Sequence, residues 1–482
     1  MKYLSLSLFQ VICLAIVPAY AAEITTNKVG VLVGNEPESM ISLHGVPILD
    51  TLTKKFSNGN THVKLFPKYK KNIVGLNGIV FLILEQDNNI SDDILMETLF
   101  KIQGLITYGA KTVSFYINKP LNNISMPSNL NLEHLLSILG ANYILDNKDF
   151  NLDRFRKIEK APELRNYELN TTTNYDYIVG GSNYPKFVED VGKKLGKKAY
   201  NFKDLKEIDL KNRKIYWIAG NIHPVNKKFF ETLSEINYFA LQGAHVHTVF
   251  LYLPYARSDK PEFDVGVPTQ GSAIATLSEA LGSEGHTMMR VHAPQSCGFF
   301  TKTHLSEISG FHIFVEKFYE EDIDIIVAPD AGAAKPATLV MQAYQKYCDL
   351  RERKKEILVV VLNKQRDKNG NETLIDGNSV EHIHDKNCAI VDDETSTGGT
   401  AEIGAETLKT EGHAAKVIVA VVHLAGDAGR LKKEYVNKLY FTDTIPAPEN
   451  FACPVPFEII SVAKDLALDI QRMEQRSNFD NI

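Results

Sequence analysis

The sequence predicts an α/β fold of tandem units, each with a mostly parallel sheet flanked by helices. Runs rich in β-branched residues alternate with amphipathic segments along most of the chain. This alternation is typical of βαβ units with parallel strands. The length of 482 residues adds a second observation, because domains of about 150 residues would give roughly three such units.

Hydrophobic periodicity assigns the individual elements. Short apolar runs predict buried strands at residues 78–84, 214–219, 248–253, 324–327, 357–362, 388–391 and 417–422. Segments with helical period predict helices at residues 92–108, 226–241, 337–347 and 401–410. Polar composition at 159–175 indicates a linker, and a second junction falls near 301–310. We therefore divide the chain into a leader at 1–22 and units at 23–165, 166–308 and 309–482.

An internal repeat relates the first two units. Shifting the chain by 134 residues places Glu97-Thr98-Leu99 on Glu231-Thr232-Leu233. Further along, Leu139-Gly140 meets Leu281-Gly282 at a shift of 142, so the second copy has gained residues, which fall at 254–267. The pattern predicts two copies of one βαβ unit, with chance similarity between two such units as the alternative.

The first 22 residues have the pattern of a secretory signal peptide. Lys2 precedes an apolar run at 4–17, and Ala19 and Ala21 suit the positions before a cleavage site. We expect an exported protein, periplasmic or secreted; a buried N-terminal strand or helix is the alternative, and would leave the protein cytoplasmic. No other apolar run reaches the ~18 residues of a membrane helix, so no membrane span is expected.

Net charge and cysteine spacing limit the classes of ligand that the protein is expected to bind. A net charge of −6 gives no basic footprint for nucleic acid, so a small bound anion is expected instead. Cys13 lies in the leader, and Cys297, Cys348, Cys388 and Cys453 have no metal-binding spacing. Buried free thiols and disulfides both remain open for these four.

The strongest local motif lies at residues 389–400. A buried strand leads into Asp392 and Asp393, then into a Gly/Thr loop and the helix predicted at 401–410. Backbone N–H groups of such a loop, at a helix N-terminus, suit a phosphate. The paired carboxylates can accept hydrogen bonds from sugar hydroxyls. Together they favour a 5-phosphosugar; a Gly-rich turn with an acidic cap is the alternative.

This loop resembles the 5-phosphoribose site of phosphoribosyltransferase-fold proteins, and four other segments narrow the resemblance. Pro254-Tyr255-Ala256-Arg257-Ser258-Asp259 resembles the PYARQD segment of ribose-phosphate diphosphokinases. Residues 291–300 resemble their DLHASQIQGFF, residues 329–335 their PDAGGAK, and residues 362–366 the DKRR start of their catalytic loop. Residues 442–446 match a late strand. The resemblance covers about residues 177–475.

The resemblance implies transfer of diphosphate from ATP to ribose 5-phosphate, giving 5-phosphoribosyl 1-diphosphate and AMP. Mg²⁺ is the implied cofactor, ATP and ribose 5-phosphate are the implied partners, and a homo-oligomer is the implied assembly. Phosphoryl transfer depends on positioning and on cations aimed at the phosphate oxygens. Lys364 and Arg366 would be these catalytic cations; a solvated basic loop is their alternative.

The matching positions also assign the binding residues. The implied ATP-binding residues are Phe202, Asp204, Arg257, Asp259, His292 and Gln295. Those implied for ribose 5-phosphate are Asp392, Asp393, Thr397, Gly398, Gly399 and Thr400. The implied diphosphate loop holds Asp330, Ala331, Gly332 and Lys335, and the implied metal ligands are His292 and Asp330. Since imidazole is an uncommon Mg²⁺ ligand, His292 could instead bind a phosphate or water, and Arg257 could simply pair with Asp259.

Some positions depart from the family. The adenine loop FSDGE is represented by residues 202–207, which lack its glycine, and Pro336 and Ser396 replace an arginine and an acid. The first unit reads Phe56-Ser57-Asn58-Gly59-Asn60 for FSDGE and Asn118-Lys119-Pro120 for PYARQD. We interpret it as a non-catalytic copy. In the family the adenine loop reaches a neighbouring subunit, so an extra unit could fill that place.

Two other functions remain open. A catalytically silent, synthetase-associated regulator would bind nucleotide without turnover. A phosphoribosyltransferase would consume the diphosphate instead of making it, although the paired units and the PYARSD segment argue against it.

Overall fold

The structure is a computed structural model of the chain. It describes five short strands between residues 29 and 82 and most of residues 90–479. Within 90–479 the gaps are 108–109, 111, 118–120, 122–129, 147–155, 159–174, 182–183, 221–223, 262–268, 363, 367–371, 375–381 and 449. The predicted leader, most of the predicted linker, and the first-unit segments 56–60 and 118–120 lie outside the described residues.

The first sheet has six strands in the order β2-β1-β5-β6-β7-β8. Its strands are β1 Val29–Val33, β2 Ile48–Leu49, β5 Asn77–Leu82, β6 Thr112–Ile117, β7 Tyr143–Asp146 and β8 Arg156–Lys157. A separate hairpin pairs β3 Thr51–Lys55 with β4 Thr61–Leu65. The helices described in this unit are α1 Asp92–Thr107 and α2 Leu132–Ile138. Pairing within the sheet is parallel except between β7 and β8.

The second sheet also has six strands, in the order β10-β9-β11-β12-β13-β14, and all its pairings are parallel. Its strands are β9 Tyr177–Gly180, β10 Ala199–Asn201, β11 Lys214–Ala219, β12 His245–Phe250, β13 Ser283–Met289 and β14 His304–Ile308. Its helices are α3 Pro185–Leu195, α4 Val225–Leu241 and α5 Gln270–Ala280, with 3-10 turns at Phe202–Leu205 and Pro294–Phe299.

The third sheet is parallel throughout, in the order β16-β15-β19-β20-β21-β22. Its strands are β15 Ile325–Ala328, β16 Leu358–Val361, β19 Asn387–Thr395, β20 Lys416–Leu424, β21 Lys438–Thr442 and β22 Phe457–Ile460. A hairpin pairs β17 Lys364–Arg366 with β18 Glu372–Leu374. The helices are α6 Val315–Glu320, α7 Ala334–Leu350, α8 Gly399–Thr410 and α9 Ala463–Phe479, with 3-10 turns at Phe311–Phe314 and Ala331–Ala333.

The predicted α/β fold class is confirmed. The first two sheets share one strand order, with the second strand at the edge, next to the first, and the remaining strands following in sequence. This is the arrangement expected of two copies of one unit. The exact unit boundaries at 165 and 308 stay a prediction.

Two hydrophobic cores cross between units. One joins Leu99 and Phe100 of α1 to Leu277 of α5, so the first two units share buried apolar surface. The other joins Phe187 of α3 to Tyr344 of α7 and Ile470 of α9, which connects the second unit to the third. Each such buried side chain contributes about 1.5–3 kcal/mol of hydrophobic stabilisation. The cleft between units two and three is therefore supported by a continuous core.

The strand predicted at 388–391 is longer in the structure. β19 runs from Asn387 to Thr395, so Asp392 and Asp393 lie within the strand and not in the following loop, and Asp392 pairs with Val421 of β20. The sequence analysis ended the strand too early because Asp392 to Thr395 are polar, and an apolar run predicts a buried strand only as far as its apolar residues extend. The consequence is that both carboxylates project from the backbone of a strand.

Two further observations bear on the class of protein. None of the helices in the described part of the chain is long and apolar enough to cross a bilayer. Cys297, Cys348, Cys388 and Cys453 are free thiols, and burial raises the pKa of Cys388 to about 12.

Candidate active site

A cavity of about 650 Å³ lies between the second and third units. Segments that follow the carboxyl ends of β12, β13, β15 and β19 meet there, where parallel α/β sheets bind their ligands. The cavity is lined by Arg257, Arg290, His292, Phe311, Asp330, Gly332, Ala333, Pro336, Asp392, Asp393, Glu394, Thr395, Ser396, Thr397, Gly398, Gly399, Thr400, Ile403 and Arg430. All six residues predicted for ribose 5-phosphate line it.

The Gly/Thr loop after β19 has a fixed shape. Gly398 has φ +82°, a left-handed conformation that favours glycine, and a Cβ there would lie 2.9 Å from Leu431 Cγ. The neighbouring loop holds this segment, since the backbone N–H groups of Ala428 and Arg430 donate to the carbonyls of Ser396 and Thr397 at 2.9 Å each. α8 begins immediately at Gly399. Its first N–H groups and positive helix end therefore face the cavity, which suits a phosphate.

The two carboxyl groups of the acidic pair differ in pKa. His292 Nδ1 lies 2.7 Å from Asp393 Oδ2, across the boundary between units two and three. Burial alone would raise the pKa of Asp393, but the hydrogen bond from His292 and the charge of its imidazolium lower the pKa of Asp393 to about 2. Burial and the adjacent carboxylate of Asp393 raise the pKa of Asp392 well above its ordinary value. Asp393 is thus favoured as the ionised carboxylate. Asp392 favours its protonated form, and a nearby cation would favour its ionisation.

The same contact favours the protonated form of His292. Its hydrogen bond to Asp393 raises the pKa of His292 above the usual value, although burial opposes this. A protonated imidazole donates hydrogen bonds and cannot coordinate a metal through the same nitrogen. The contact favours the phosphate-binding or water-binding role for His292 over the role of a metal ligand, and the metal role stays a prediction.

Arg257 links the same two units at a second point. Its Nε lies 3.4 Å from Glu394 Oε2, and its NH2 donates to the Glu394 carbonyl at 3.1 Å. Glu394 is buried and also accepts from the Tyr252 hydroxyl at 3.3 Å. The alternative partner Asp259 instead accepts a hydrogen bond from Gln295. Arg257 therefore lies in the cavity wall, about half exposed, with its planar guanidinium oriented by a buried carboxylate.

The diphosphate loop is only partly in the cavity. Asp330 Oδ1 accepts from the N–H groups of Gly332 and Ala333 at 2.8 and 3.2 Å, which turns the chain into α7. Asp330 and Gly332 line the cavity, whereas Ala331 and Lys335 are exposed and are not among its lining residues. The roles predicted for those two stay predictions.

The predicted adenine loop lies away from the cavity. Phe202 packs edge-on against Tyr238 and Phe239, at ring-centroid distances of 5.3 and 5.4 Å. Asp204 Oδ2 accepts from the N–H of Asn201 at 2.8 Å, which caps the turn. Neither Phe202 nor Asp204 lines the cavity, and neither do Asp259 and Gln295. None of these four therefore shares the cavity lining with Arg257 and His292.

The two predicted catalytic cations lie on the hairpin that follows β16. The backbone of Lys364 and Arg366 forms β17, paired with Glu372–Leu374. Their side chains lie outside the described residues, so their catalytic role stays a prediction.

Three cavity residues escaped the sequence analysis: Arg290, Phe311 and Arg430. Arg290 has φ +34°, its guanidinium lies 4.9 Å from the centroid of the Phe311 ring, and its buried Nε has no hydrogen-bond partner among the described residues. The Arg290 carbonyl accepts from buried His423 at 2.9 Å, and burial lowers the pKa of His423, keeping it neutral. Arg290 directly precedes the segment 291–300, and this position could have identified it as a candidate cavity residue.

Comparisons with known proteins agree with the geometry. Residues 303–459 match a family model described as "Phosphoribosyl transferase domain". The ribose-phosphate pyrophosphokinase of Streptomyces avermitilis is 28% identical over 308 residues, covering 60% of this chain and 89% of the relative. That of Mycoplasma pneumoniae is 28% identical over 269 residues, covering 53% and 76%.

A solved structure shares the fold. The phosphoribosylpyrophosphate synthetase from Mycobacterium smegmatis aligns with a TM-score of 0.51 at 21% identity, covering 64% of this chain and 99% of that one. Coverage of nearly the whole synthetase leaves about a third of this chain unmatched. The chain is therefore similar to ribose-phosphate pyrophosphokinases over more than half of its length, and its residues 303–459 match a phosphoribosyl transferase domain.

Proposed function

We propose that the protein transfers the diphosphoryl group of ATP to O1 of ribose 5-phosphate, with Mg²⁺, and releases AMP. The observation that carries the proposal is the shared cavity. One wall is the Gly/Thr loop with Asp392 and Asp393, and the other wall holds Arg257 and His292 of the second unit. The relatives' name supports the same reaction.

The sugar phosphate fits the wall formed by the third unit. Thr397, Gly398, Gly399 and Thr400 at the start of α8 would bind the 5-phosphate through backbone N–H groups and hydroxyls. Asp393, ionised near neutral pH, would accept hydrogen bonds from ring hydroxyls. A phosphate placed against this carboxylate would be repelled, so the sugar has one favoured orientation.

The triphosphate fits the opposite wall. Arg257 presents a planar fork suited to phosphate oxygens, and the hydrogen bond to Asp393 raises the pKa of His292, which favours its cationic form. Arg290 adds a third; its NH1 lies 3.5 Å from Glu307 Oε1, and its Nε has no partner among the described residues. These three groups would hold the β- and γ-phosphates near the sugar.

In the transfer, O1 of the sugar attacks the β-phosphorus of ATP and the bond from that phosphorus to the α–β bridging oxygen breaks. AMP departs with the bridging oxygen, and the O1 proton leaves to solvent. Lys364 and Arg366 would neutralise the charge that develops on the transferred group.

The acidic residues present fit Mg²⁺. No group of three or more His, Cys, Asp or Glu side chains in the described part of the chain forms a complete metal cage. Mg²⁺ does not need one, because it commonly takes one or two carboxylates and completes its shell with water and substrate phosphates. Asp330 contributes to the raised pKa of Asp392, so a cation beside both carboxylates would relieve their repulsion. When bound, Mg²⁺ would neutralise and orient the triphosphate.

Purified protein mixed with ATP, Mg²⁺ and ribose 5-phosphate should release AMP. The matched control is Lys364→Ala, which removes one proposed transfer cation from the hairpin. AMP formation no greater than that of the Lys364→Ala variant would defeat the proposal.

The position of the adenine loop favours a second candidate. Phe202 and Asp204 do not line the cavity, so a silent regulator that binds nucleotide without turnover is the competing function. Saturable ATP binding by calorimetry, combined with no AMP release, would select it.

We also propose that the protein is exported and assembles as a homo-oligomer. The leader pattern at 1–22 supports export. N-terminal sequencing of protein from fractionated cells should find a chain starting at Ala22 or Glu23 outside the cytoplasm. Light scattering should give a mass that is a multiple of the mature chain's mass; an intact leader or a monomer would refute the respective proposal.

A further inference from the structure

The first unit packs against the second in the way that two copies of one unit would. The sequence repeat equates α1 with α4 and α2 with α5. In the structure α1 contacts α4 and α5, and α2 contacts α5. Equivalent helices thus meet each other, as they do in a two-fold symmetric pair.

A buried polar network crosses this interface and ends beside the active site. Asn226 Nδ2 donates to Asp93 Oδ1 of the first unit at 2.7 Å. The Tyr255 hydroxyl donates to Asn226 Oδ1. Asn226 and Tyr255 are 1% and 2% exposed, so water cannot easily replace these bonds. Phe100 of the first unit packs edge-on against the Tyr255 ring, at a centroid distance of 4.7 Å.

Tyr255 needs this support because of its backbone conformation. Its φ is +61°, in the left-handed region that a residue with a Cβ disfavours. Such a conformation persists where surrounding contacts over-determine it. Two residues later Arg257 enters the cavity, after a turn closed by the Ser258 N–H donating to the Tyr255 carbonyl at 2.9 Å. The conformation of Tyr255 therefore sets where Arg257 lies.

We propose that the first unit is a built-in positioning partner, which holds Arg257 in the cavity through the Asp93–Asn226–Tyr255 network. Asp93 is then a positioning residue on the first unit that acts on the nucleotide side of the cavity. The sugar side is formed by the third unit and does not depend on it.

The first test measures hydrogen exchange of the peptide 254–258 in the full chain. Asp93→Ala removes the acceptor of a buried donor, so exchange at this peptide should rise roughly tenfold. Asp93→Asn keeps an accepting oxygen and should restore protection. The matched control is Gln103→Ala on the same helix, which removes a 3.3 Å bond to Ser272 at the same interface without touching the network. Unchanged exchange in Asp93→Ala would overturn the proposal.

A second variant distinguishes loss of the network from a general folding defect in Asp93→Ala. Tyr255→Phe removes only the hydroxyl and keeps the ring packed on Phe100. It should raise exchange at 254–258 by a similar factor, with exchange of α9 unchanged. Equal exchange increases throughout the molecule would show a general loss of stability and would contradict the proposal.

A kinetic test rests on the proposed function. In Asp93→Ala the KM for ATP should rise roughly tenfold, while the KM for ribose 5-phosphate stays within about twofold. Equal rises in both would contradict a positioning role. If the wild-type protein releases no AMP, the proposed function fails, and the exchange measurements still decide this inference.

Discussion

The contact between His292 and Asp393 gives a pH-dependent prediction for stability. Replacing His292 by Asn removes the cation and leaves a neutral amide that can still donate a hydrogen bond. In the wild-type protein the Nδ1–Oδ2 distance is 2.7 Å, and the side chains are 37% and 12% exposed. We expect His292→Asn to unfold more easily in weakly acidic solution and to approach the wild type in alkaline solution.

The magnitude follows from the pKa of Asp393. Its fall from 3.8 to about 2 corresponds to roughly 2 to 3 kcal/mol of stabilisation of the anion. Because more than a third of the His292 side chain is exposed, solvent screening reduces the net loss to about 1 kcal/mol.

The sign of the pH dependence comes from both groups. The pKa of His292 is raised on folding, so its contribution is complete below about pH 6.5 and disappears as pH rises through the folded value. The pKa of Asp393 is lowered, so its contribution is present above about pH 4 and disappears as pH falls toward 2. The difference between wild type and variant should therefore be largest between about pH 4 and 6.5.

Urea unfolding from pH 5 to 9 measures this difference in free energy. The control is His312→Asn, which alters a more exposed pair with Asp465 and should change stability by less than about 0.5 kcal/mol. A difference for His292→Asn that is as large at pH 9 as at pH 6 would refute the electrostatic account.

Two further substitutions test the cavity walls. Gly398→Ala should lower the free energy of unfolding by about 1–3 kcal/mol in urea, because φ +82° is unfavourable for alanine and its Cβ would meet Leu431. The same change should raise the KM for ribose 5-phosphate. An unchanged urea midpoint would contradict this. Arg290→Met keeps an unbranched apolar stem and removes the guanidinium with its charge, and should raise the KM for ATP about tenfold with little effect on the KM for ribose 5-phosphate. An unchanged KM for ATP would remove Arg290 from the nucleotide side.

The sequence predicted the parts of the site that depend on local chemistry. Asp392, Asp393 and the Gly/Thr loop could be placed because an apolar strand, two acids and glycines occur consecutively. Asp330 and His292 were assigned from the family resemblance, and each follows a strand. Asp330 and the acidic pair lie at the carboxyl ends of β15 and β19, which are neighbours in the third sheet. His292 follows β13 of the second sheet and meets them across the cavity.

The parts that depend on distant contacts could not be predicted. Arg257 was expected to pair with Asp259 if it did not bind ATP, yet it pairs with Glu394, which is far away in sequence. Arg290 enters the cavity because of its positive φ and the hydrogen bond from His423, and neither has a local signature. The packing of the first unit on Tyr255 likewise requires knowing how two sheets are arranged.

ATP labelled at the β-phosphorus gives the most direct test of diphosphoryl transfer to a sugar phosphate within one shared cavity. Incubated with Mg²⁺ and ribose 5-phosphate, the wild-type protein should move the label into a phosphoribosyl product while unlabelled AMP accumulates in equal amount. Label found in ADP, or remaining in ATP whether or not the sugar phosphate is present, would contradict the account.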